Sequence, residues 1–135
     1  MTVSSMMRFS LICFSLLLFL SPALLAQRYV DVDPDAAGAI GALNRAIDGD
    51  TTATGERVDP LNTIYRLQRG TTYRLNLAVR NAGFPLTIEA AEGDGERPII
   101  IPGVTLEGIS DVPFRPLDDL TLRGVFITGR DSNDG

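Results

Sequence analysis

The side chains of this sequence that could bind a metal ion are clustered carboxylates near its start. Asp31, Asp33 and Asp35 alternate along the chain as the first ligands of a calcium-binding loop do. Such a loop needs glycine at its sixth position and glutamate at its twelfth, where this chain has Ala36 and Ala42. We therefore favour a solvated turn, with Asp35 as the N-cap of a following helix, over a calcium site.

Three further groups of carboxylates lie in turn-like segments: Asp48 with Asp50, Asp118 with Asp119, and Asp131 with Asn133 and Asp134. Arg115 precedes the second group, and acidic residues beside an arginine could combine calcium binding with proton abstraction. Turn hydrogen bonds and weak surface ion pairs are the commoner roles of such residues. We interpret the first group as a helix exit and the others as polar turns. The sequence thus predicts no catalytic, cofactor-binding or metal-ligating residue, with calcium left open for a longer protein.

Several other chemistries lack the residues that they need. The chain has no histidine, which excludes a Ser-His-Asp triad and a histidine-ligated metal. Its single cysteine, Cys13, lies in the apolar leader described next, so the remainder has no thiol and no disulfide. The glycines around Asp94 lack the strand-to-helix context of a phosphate loop. Tyr29, Tyr65 and Tyr73 could stack on sugar rings or pack in a core.

Residues 1–26 have the layout of a secretory signal peptide. Arg8 precedes an apolar run over 11–20, a break at Ser21-Pro22 follows, and cleavage is expected after Ala26. The run is too short to span a bilayer, although an uncleaved membrane anchor is the alternative. A secreted or cell-surface protein is therefore predicted.

The remaining 109 residues (135 − 26) carry 11 arginines and 17 acidic residues, a formal charge of −6. This balance disfavours a nucleic-acid partner and an anionic membrane surface. The length suits a single domain.

The elements that must position any site begin with one amphipathic helix. Within the segment 27–50, the spacing of Ile40, Leu43 and Ile47 predicts a helix over 36–47, which ends near Gly49. Over 51–135 the chain reads as short strands and turns. An earlier extended segment is expected at 28–35, and the strands are expected at 64–67, 72–75, 86–90, 98–102 and 120–128.

One internal similarity indicates how these strands associate. The segment 85–90, Pro-Leu-Thr-Ile-Glu-Ala, resembles 119–124, Asp-Leu-Thr-Leu-Arg-Gly, 34 positions later. Recurrence of this kind favours a solenoid whose coils pair with their neighbours. Because the sequence stops soon after its strongest strand, we expect it to be the N-terminal part of a longer protein. A small β-sandwich is the alternative.

The helix, the polar stretch 49–57 and the strands with Arg69-Gly70 and Tyr73 resemble the start of secreted bacterial right-handed parallel β-helix proteins. These belong to the pectin-lyase-like group, and the resemblance covers roughly residues 30–129, including 114–116 and 120–129. It implies a mainly β fold, in which an N-terminal helix caps the first coils. No catalytic motif of the group can be matched residue by residue.

Three functions follow from this reading. The first is a polysaccharide-binding or structural module of a secreted β-helix protein, able to self-associate through an open solenoid end. The second is a polysaccharide lyase or glycoside hydrolase whose site lies in further coils. The third is a small secreted β-sandwich adhesin. Fold alone does not choose between them.

Overall fold

The computed structural model describes residues 26–34, 40–103 and 112–129 of the chain. These residues form seven strands and one helix: β1 (Arg28–Val32), α1 (Ala42–Asp48), β2 (Thr63–Leu67), β3 (Thr72–Arg74), β4 (Leu86–Ala90), β5 (Ile99–Ile101), β6 (Leu120–Arg123) and β7 (Phe126–Ile127). The prediction of a mainly β chain with an early helix is confirmed. The leader, residues 1–25, and the predicted N-cap Asp35 lie outside the described residues.

The strands form two parallel sheets. One has four strands in the order β1-β2-β4-β6, and the other has three in the order β3-β5-β7. From β2 onward, successive strands alternate between the sheets, and every pairing between these strands is parallel. A third line of contact joins the backbones of Val79 and Phe114 in a parallel bridge. Parallel neighbours require long crossover connections, which the turns and loops between the strands provide.

The repeated segment sets the register of one pairing. Leu86 lies beside Leu120 and Glu89 beside Arg123, so residues 34 positions apart are hydrogen-bonded neighbours in the sheet. The internal similarity therefore corresponds to strand pairing between β4 and β6. Similar residues at paired positions place apolar side chains on one face and polar side chains on the other.

The core is formed by the inward side chains of both sheets and the buried face of α1. It contains Val32, Ala42, Leu43, Ile47, Tyr65, Leu67, Tyr73, Leu75, Val79, Phe84, Leu86, Ile88 and Ile100. A buried amide, Asn81, ties this core to the next turn. Its Nδ2 donates to the carbonyl oxygens of Phe84 and Asp119, and its Oδ1 accepts from the Leu117 amide. These three partners are backbone groups, so Asn81 joins two stretches of chain that the sequence separates by 36 positions.

The helix is shorter than predicted and begins later. Leu43 and Ile47 are fully buried, as the spacing indicated, but Ile40 is half-exposed and precedes the helix. Gly41 has a φ of 89°, and its amide donates to the Arg74 carbonyl, so the backbone there pairs with β3 instead of continuing a helix. Gly49 is the C-cap, as predicted. The helix packs against β1 and β3, the first strand of each sheet.

The strand predicted over 120–128 is two strands. Gly124 has a φ of 65° and separates β6, in the four-stranded sheet, from β7, in the three-stranded sheet. Because apolar residues continue to alternate through the bend at Gly124, the sequence pattern did not indicate the break between the two strands. The strands β2 and β3 flank the predicted turn at Arg69-Gly70 and likewise belong to different sheets.

Candidate functional site

The outward face of the four-stranded sheet carries a column of alternating charge. Asp31, Arg66, Glu89 and Arg123 are register partners on β1, β2, β4 and β6 in turn. Their neighbours in sequence on the opposite face contribute to the core or pack against it. Since paired strands lie about 4.8 Å apart, each charged side chain of the column has an oppositely charged neighbour on an adjacent strand.

Ion pairs join this column two by two. Arg66 binds Asp31 through two hydrogen bonds, Nε to Oδ1 at 2.7 Å and Nη2 to Oδ2 at 3.1 Å. The hydrogen bonds from Arg66 hold the pKa of Asp31 below its usual range. Arg123 Nη1 lies 3.7 Å from Glu89 Oε2, a looser pair. Both pairs are partly open to solvent, so they orient the side chains more than they stabilise the fold.

A second outward column contains an aromatic ring and two hydroxyls. Tyr29, Ile64, Thr87 and Thr121 are register partners along the same four strands, although Ile64 is buried and so interrupts the accessible part of the column. The ring of Tyr29 is 45% exposed, and its hydroxyl donates to the Gln27 side-chain oxygen at 3.0 Å. The guanidinium carbon of Arg66 lies 4.6 Å from the ring centroid. This stacking holds the ring in place while leaving it accessible.

A hollow of about 190 Å³ adjoins the charged column. Asp31, Asp33, Arg66 and Gln68 line it with polar groups, and Val32 and Ala91 supply an apolar wall. Within the described ranges, no group of three or more carboxylates, histidines or cysteines is placed to hold a metal ion. The hollow therefore offers hydrogen-bonding and charged groups beside a small apolar wall.

The structure separates the three tyrosines that the sequence singled out. Tyr65 and Tyr73 are buried core residues. The hydroxyl of Tyr73 donates to the Val32 carbonyl at 2.8 Å and accepts from the Gln68 amide at 2.9 Å. Burial raises the pKa of Tyr73. Of the three rings, Tyr29 alone is placed to stack on a ligand.

The carboxylates of the predicted turns differ in their surroundings. Asp118 Oδ2 accepts from the Gly83 amide at 2.5 Å, and the Asp119 carbonyl accepts from the Leu86 amide at 2.8 Å. The Asp118 contact joins residues 35 positions apart and the Asp119 contact is made by its backbone, so neither is the local turn hydrogen bond that the sequence favoured. Asp48 lies at the exposed end of α1. The group at 131–134 lies outside the described residues.

Asp50 forms a charged network that the sequence did not indicate. Arg28 binds its carboxylate with both terminal nitrogens, at 2.7 and 2.6 Å, and the Tyr65 hydroxyl donates to it at 2.8 Å. The hydrogen bond from Arg28 is the main cause that lowers the pKa of Asp50, whereas burial is the main cause that raises the pKa of Tyr65. Arg57 donates to the Ile47 carbonyl nearby. The network ties α1 and its exit to β1 and β2, a structural role.

No protein-family model, no curated protein and no solved structure matches this chain. Among residues 26–34, 40–103 and 112–129, no helix is long and apolar enough to cross a bilayer.

Proposed function

We propose that the chain is the N-terminal part of an exported right-handed parallel β-helix protein of the pectin-lyase-like group. In this proposal the outward face of β1-β2-β4-β6 binds an extended polysaccharide. The supporting observation is the pair of outward columns, which carry the exposed Tyr29 ring, partly exposed threonine hydroxyls and paired charges on successive strands. Residues 1–26 support export by their sequence alone.

Three lines of parallel pairing support the β-helix. The two sheets and the Val79–Phe114 bridge recur in the same order along the chain, so each successive stretch lies against the preceding one. Crossovers between parallel strands of one sheet are right-handed in nearly all proteins, which supports the proposed hand. A β-sandwich adhesin fits less well, because sandwiches are built from antiparallel pairs and the described strands pair in parallel.

The spacing of the columns favours a linear ligand. Side chains repeat about every 4.8 Å across the strands, close to the length of one sugar ring in an extended chain. The exposed face of Tyr29 can stack on a ring, and the hydroxyls of Thr87 and Thr121 can hydrogen-bond with sugar hydroxyls. Neither contact requires a metal or a nucleophile. Binding is therefore proposed ahead of cleavage, and a lyase or hydrolase with its site in further coils is the alternative.

Self-association is proposed at the edge of the two sheets opposite to β1 and β3. β6 and β7 are the last strands of their sheets among the described residues, and Phe126 and Ile127 are 53% and 39% exposed there. Unpaired strand edges beside apolar side chains are templates for pairing with another chain. A second copy, or further coils of a longer protein, would satisfy the same backbone groups.

The binding proposal is tested by electrophoresis of the purified chain through gels that contain neutral or acidic polysaccharides. Retardation by at least one polysaccharide is expected. Tyr29→Ala should weaken this binding by up to about tenfold, the usual effect of losing one aromatic stacking contact. Leu61→Ala, which removes a 77% exposed apolar side chain outside the strands, is the matched control. Migration unaffected by every polysaccharide, or equal weakening by both variants, would contradict the proposal.

A further inference from the structure

The charges on the outward face bear on the kind of sugar that it can bind. In the part of the chain that the structure describes, the two columns and the adjoining hollow contain three carboxylates and two guanidinium groups, a formal charge of −1. These groups belong to Asp31, Asp33, Glu89, Arg66 and Arg123. The whole chain is also acidic, with a net charge of −5. A surface of this sign repels a polyanion and slows its approach.

The guanidinium group nearest to the exposed aromatic ring is already engaged. Arg66 donates two hydrogen bonds to Asp31, at 2.7 and 3.1 Å, and its guanidinium carbon lies 4.6 Å from the centroid of the Tyr29 ring. The hydrogen bonds to Asp31 are the main cause that raises the pKa of Arg66, and Glu92 adds a weaker attraction. An anionic group of a ligand would therefore have to compete with carboxylates of the protein for this guanidinium group.

Within this ion pair, the carboxylate is the more accessible partner. The side chain of Asp31 is 70% exposed, whereas that of Arg66 is 28% exposed. Asp33, in the adjoining hollow, is exposed as well. Each carboxylate oxygen has two lone pairs, so Asp31 can accept a hydrogen bond from a ligand while it stays bound to Arg66. Beside Tyr29, a ligand thus meets acceptors that match hydroxyl groups and repel anionic groups.

The second ion pair of the face has the opposite arrangement. Arg123 is exposed and Glu89 is partly buried, and the two lie 3.7 Å apart. Arg123 is on β6, three strands from the Tyr29 ring on β1. A single guanidinium group can contact one anionic group, whereas a polyuronate carries a carboxylate on every sugar. Arg123 therefore does not offset the repulsion of an acidic chain that crosses the face.

We infer that the outward face selects a neutral polysaccharide over an acidic one, with Asp31 as the residue that determines this selectivity. The inference rests on the proposed function, because it names the class of sugar bound at the same face. The exposed ring of Tyr29 stacks on the C–H face of a sugar, and the carboxylates of Asp31 and Asp33 accept hydrogen bonds from its hydroxyls. A uronate or a sulfate ester would bring a like charge against the same two carboxylates, which disfavours it.

The inference is tested by electrophoresis of the full chain through gels that contain a neutral galactomannan, a neutral β-glucan, polygalacturonate or dextran sulfate, each compared with a gel without polysaccharide. Retardation by at least one neutral polysaccharide and by neither acidic one is expected. Asp31→Asn removes a negative charge and frees Arg66, so it should raise the ratio of acidic to neutral binding about tenfold. Asp48→Asn is the matched control, because Asp48 is exposed on α1, outside the face, and its replacement changes the net charge equally. This control should leave the ratio unchanged.

A second variant tests the same idea at the other ion pair. Glu89→Gln frees Arg123 and should also raise the ratio of acidic to neutral binding. The rise should be smaller than for Asp31→Asn, because the pair of Arg123 with Glu89 is already loose. In both variants the added acidic binding should weaken as the salt concentration rises, since exposed charges are screened.

The possible outcomes separate this inference from the proposed function. If the parent chain is retarded by an acidic polysaccharide as strongly as by the neutral ones, the inference is overturned and the proposed function stands. An equal rise of the ratio in Asp31→Asn and Asp48→Asn would likewise overturn it, because net charge and not Asp31 would then set the selectivity. Retardation by no polysaccharide would contradict the proposed function, and the inference would fall with it.

Discussion

The first and last strands of the two sheets differ in what covers them. At the first strands, β1 and β3, the helix α1 packs over the core and buries Leu43 and Ile47. At the last described strands, β6 and β7, Phe126 and Ile127 are 53% and 39% exposed. We call these the helix end and the open end. The comparison indicates that a stack of parallel strands needs a separate element to cover its core, because each strand hydrogen-bonds only with the strands beside it.

The two ends also differ in their polar contacts. At the helix end, Arg28, Asp50 and Tyr65 form a network in which the Asp50 side chain is only 8% exposed. At the open end, the Arg123–Glu89 pair is longer and Arg123 is 59% exposed. Buried networks depend on each partner, whereas exposed pairs contribute little. The helix end is therefore expected to be the more sensitive to substitution.

The largest expected effect comes from removing the same side chain at each end. Ile47→Ala should lower the free energy of unfolding by about 2–5 kcal/mol, because a fully buried isoleucine leaves a cavity. Ile127→Ala should lower it by less than about 1 kcal/mol, because that side chain already contacts solvent. Urea unfolding followed by circular dichroism measures both. Equal losses would contradict the distinction between the ends.

A smaller effect is expected from the charged network. Asp50→Asn should cost about 1–3 kcal/mol at pH 7, because the ion pair is lost and the Arg28 guanidinium keeps only neutral partners. The lowered pKa of Asp50 sets the sign of the pH dependence. Its stabilising contribution is complete above about pH 4, the ordinary pKa of aspartate, and is lost as the pH falls through the lowered value.

This pH dependence gives the control for the network. Between pH 7 and pH 3 the parent chain should lose more stability than Asp50→Asn does, as measured by urea unfolding at each pH. Asp31→Asn is the matched comparison, because Asp31 also binds an arginine but has a side chain that is 70% exposed. If Asp50→Asn loses as much stability as the parent chain between pH 7 and pH 3, the acid sensitivity arises from other carboxylates.

Two glycines at the open end, Gly124 and Gly129, differ in backbone geometry. Gly124→Ala should cost about 1 kcal/mol, because its φ of 65° disfavours a side chain and the new Cβ would lie 3.3 Å from the Cβ of Ala90. Gly129→Ala should be nearly neutral, since no heavy atom lies within 4 Å of its added Cβ and its φ is not in the left-handed region. Thermal unfolding of the two variants provides the measurement. A neutral Gly124→Ala would show that the bend between β6 and β7 tolerates other conformations.

The smallest effect on stability, with a clear effect on association, is expected at Phe126. Phe126→Asp should change the free energy of unfolding little, because the ring is half-exposed. It should nevertheless weaken self-association, since a charge on an open strand edge opposes edge-to-edge pairing. Sedimentation velocity over a range of concentrations measures this. Association that is unaffected by the charge would place the contact elsewhere.

The sequence predicted those parts of the fold that depend on repetition. The 34-residue similarity between the segments around Leu86 and Leu120 matches the register of β4 and β6, because paired strands place alike residues in alike surroundings. The buried face of α1 was readable from Leu43 and Ile47, but its start was not. Gly41 hydrogen-bonds to β3, a contact between distant segments that helix periodicity does not report.

The candidate sites were less accessible to sequence reasoning. Tyr29 was named as a candidate for sugar stacking, but its exposure depends on which residues pack inside. The Asp50 network joins residues 22 and 15 positions away in the sequence and lies next to a loop without periodicity. Glycine at position 124 was the one local signal of the break between β6 and β7.

The central structural claim is that β4 and β6 pair in parallel and in register, and cysteine cross-linking tests it most directly. With Cys13→Ser as background, Thr87→Cys and Thr121→Cys occupy paired positions on the outward face and should oxidise readily to a disulfide. Thr87→Cys with Arg123→Cys, offset by two residues, should cross-link poorly, because the Cα atoms are then too far apart. A preference for the offset pair, or no disulfide in either, would contradict the stacked parallel arrangement.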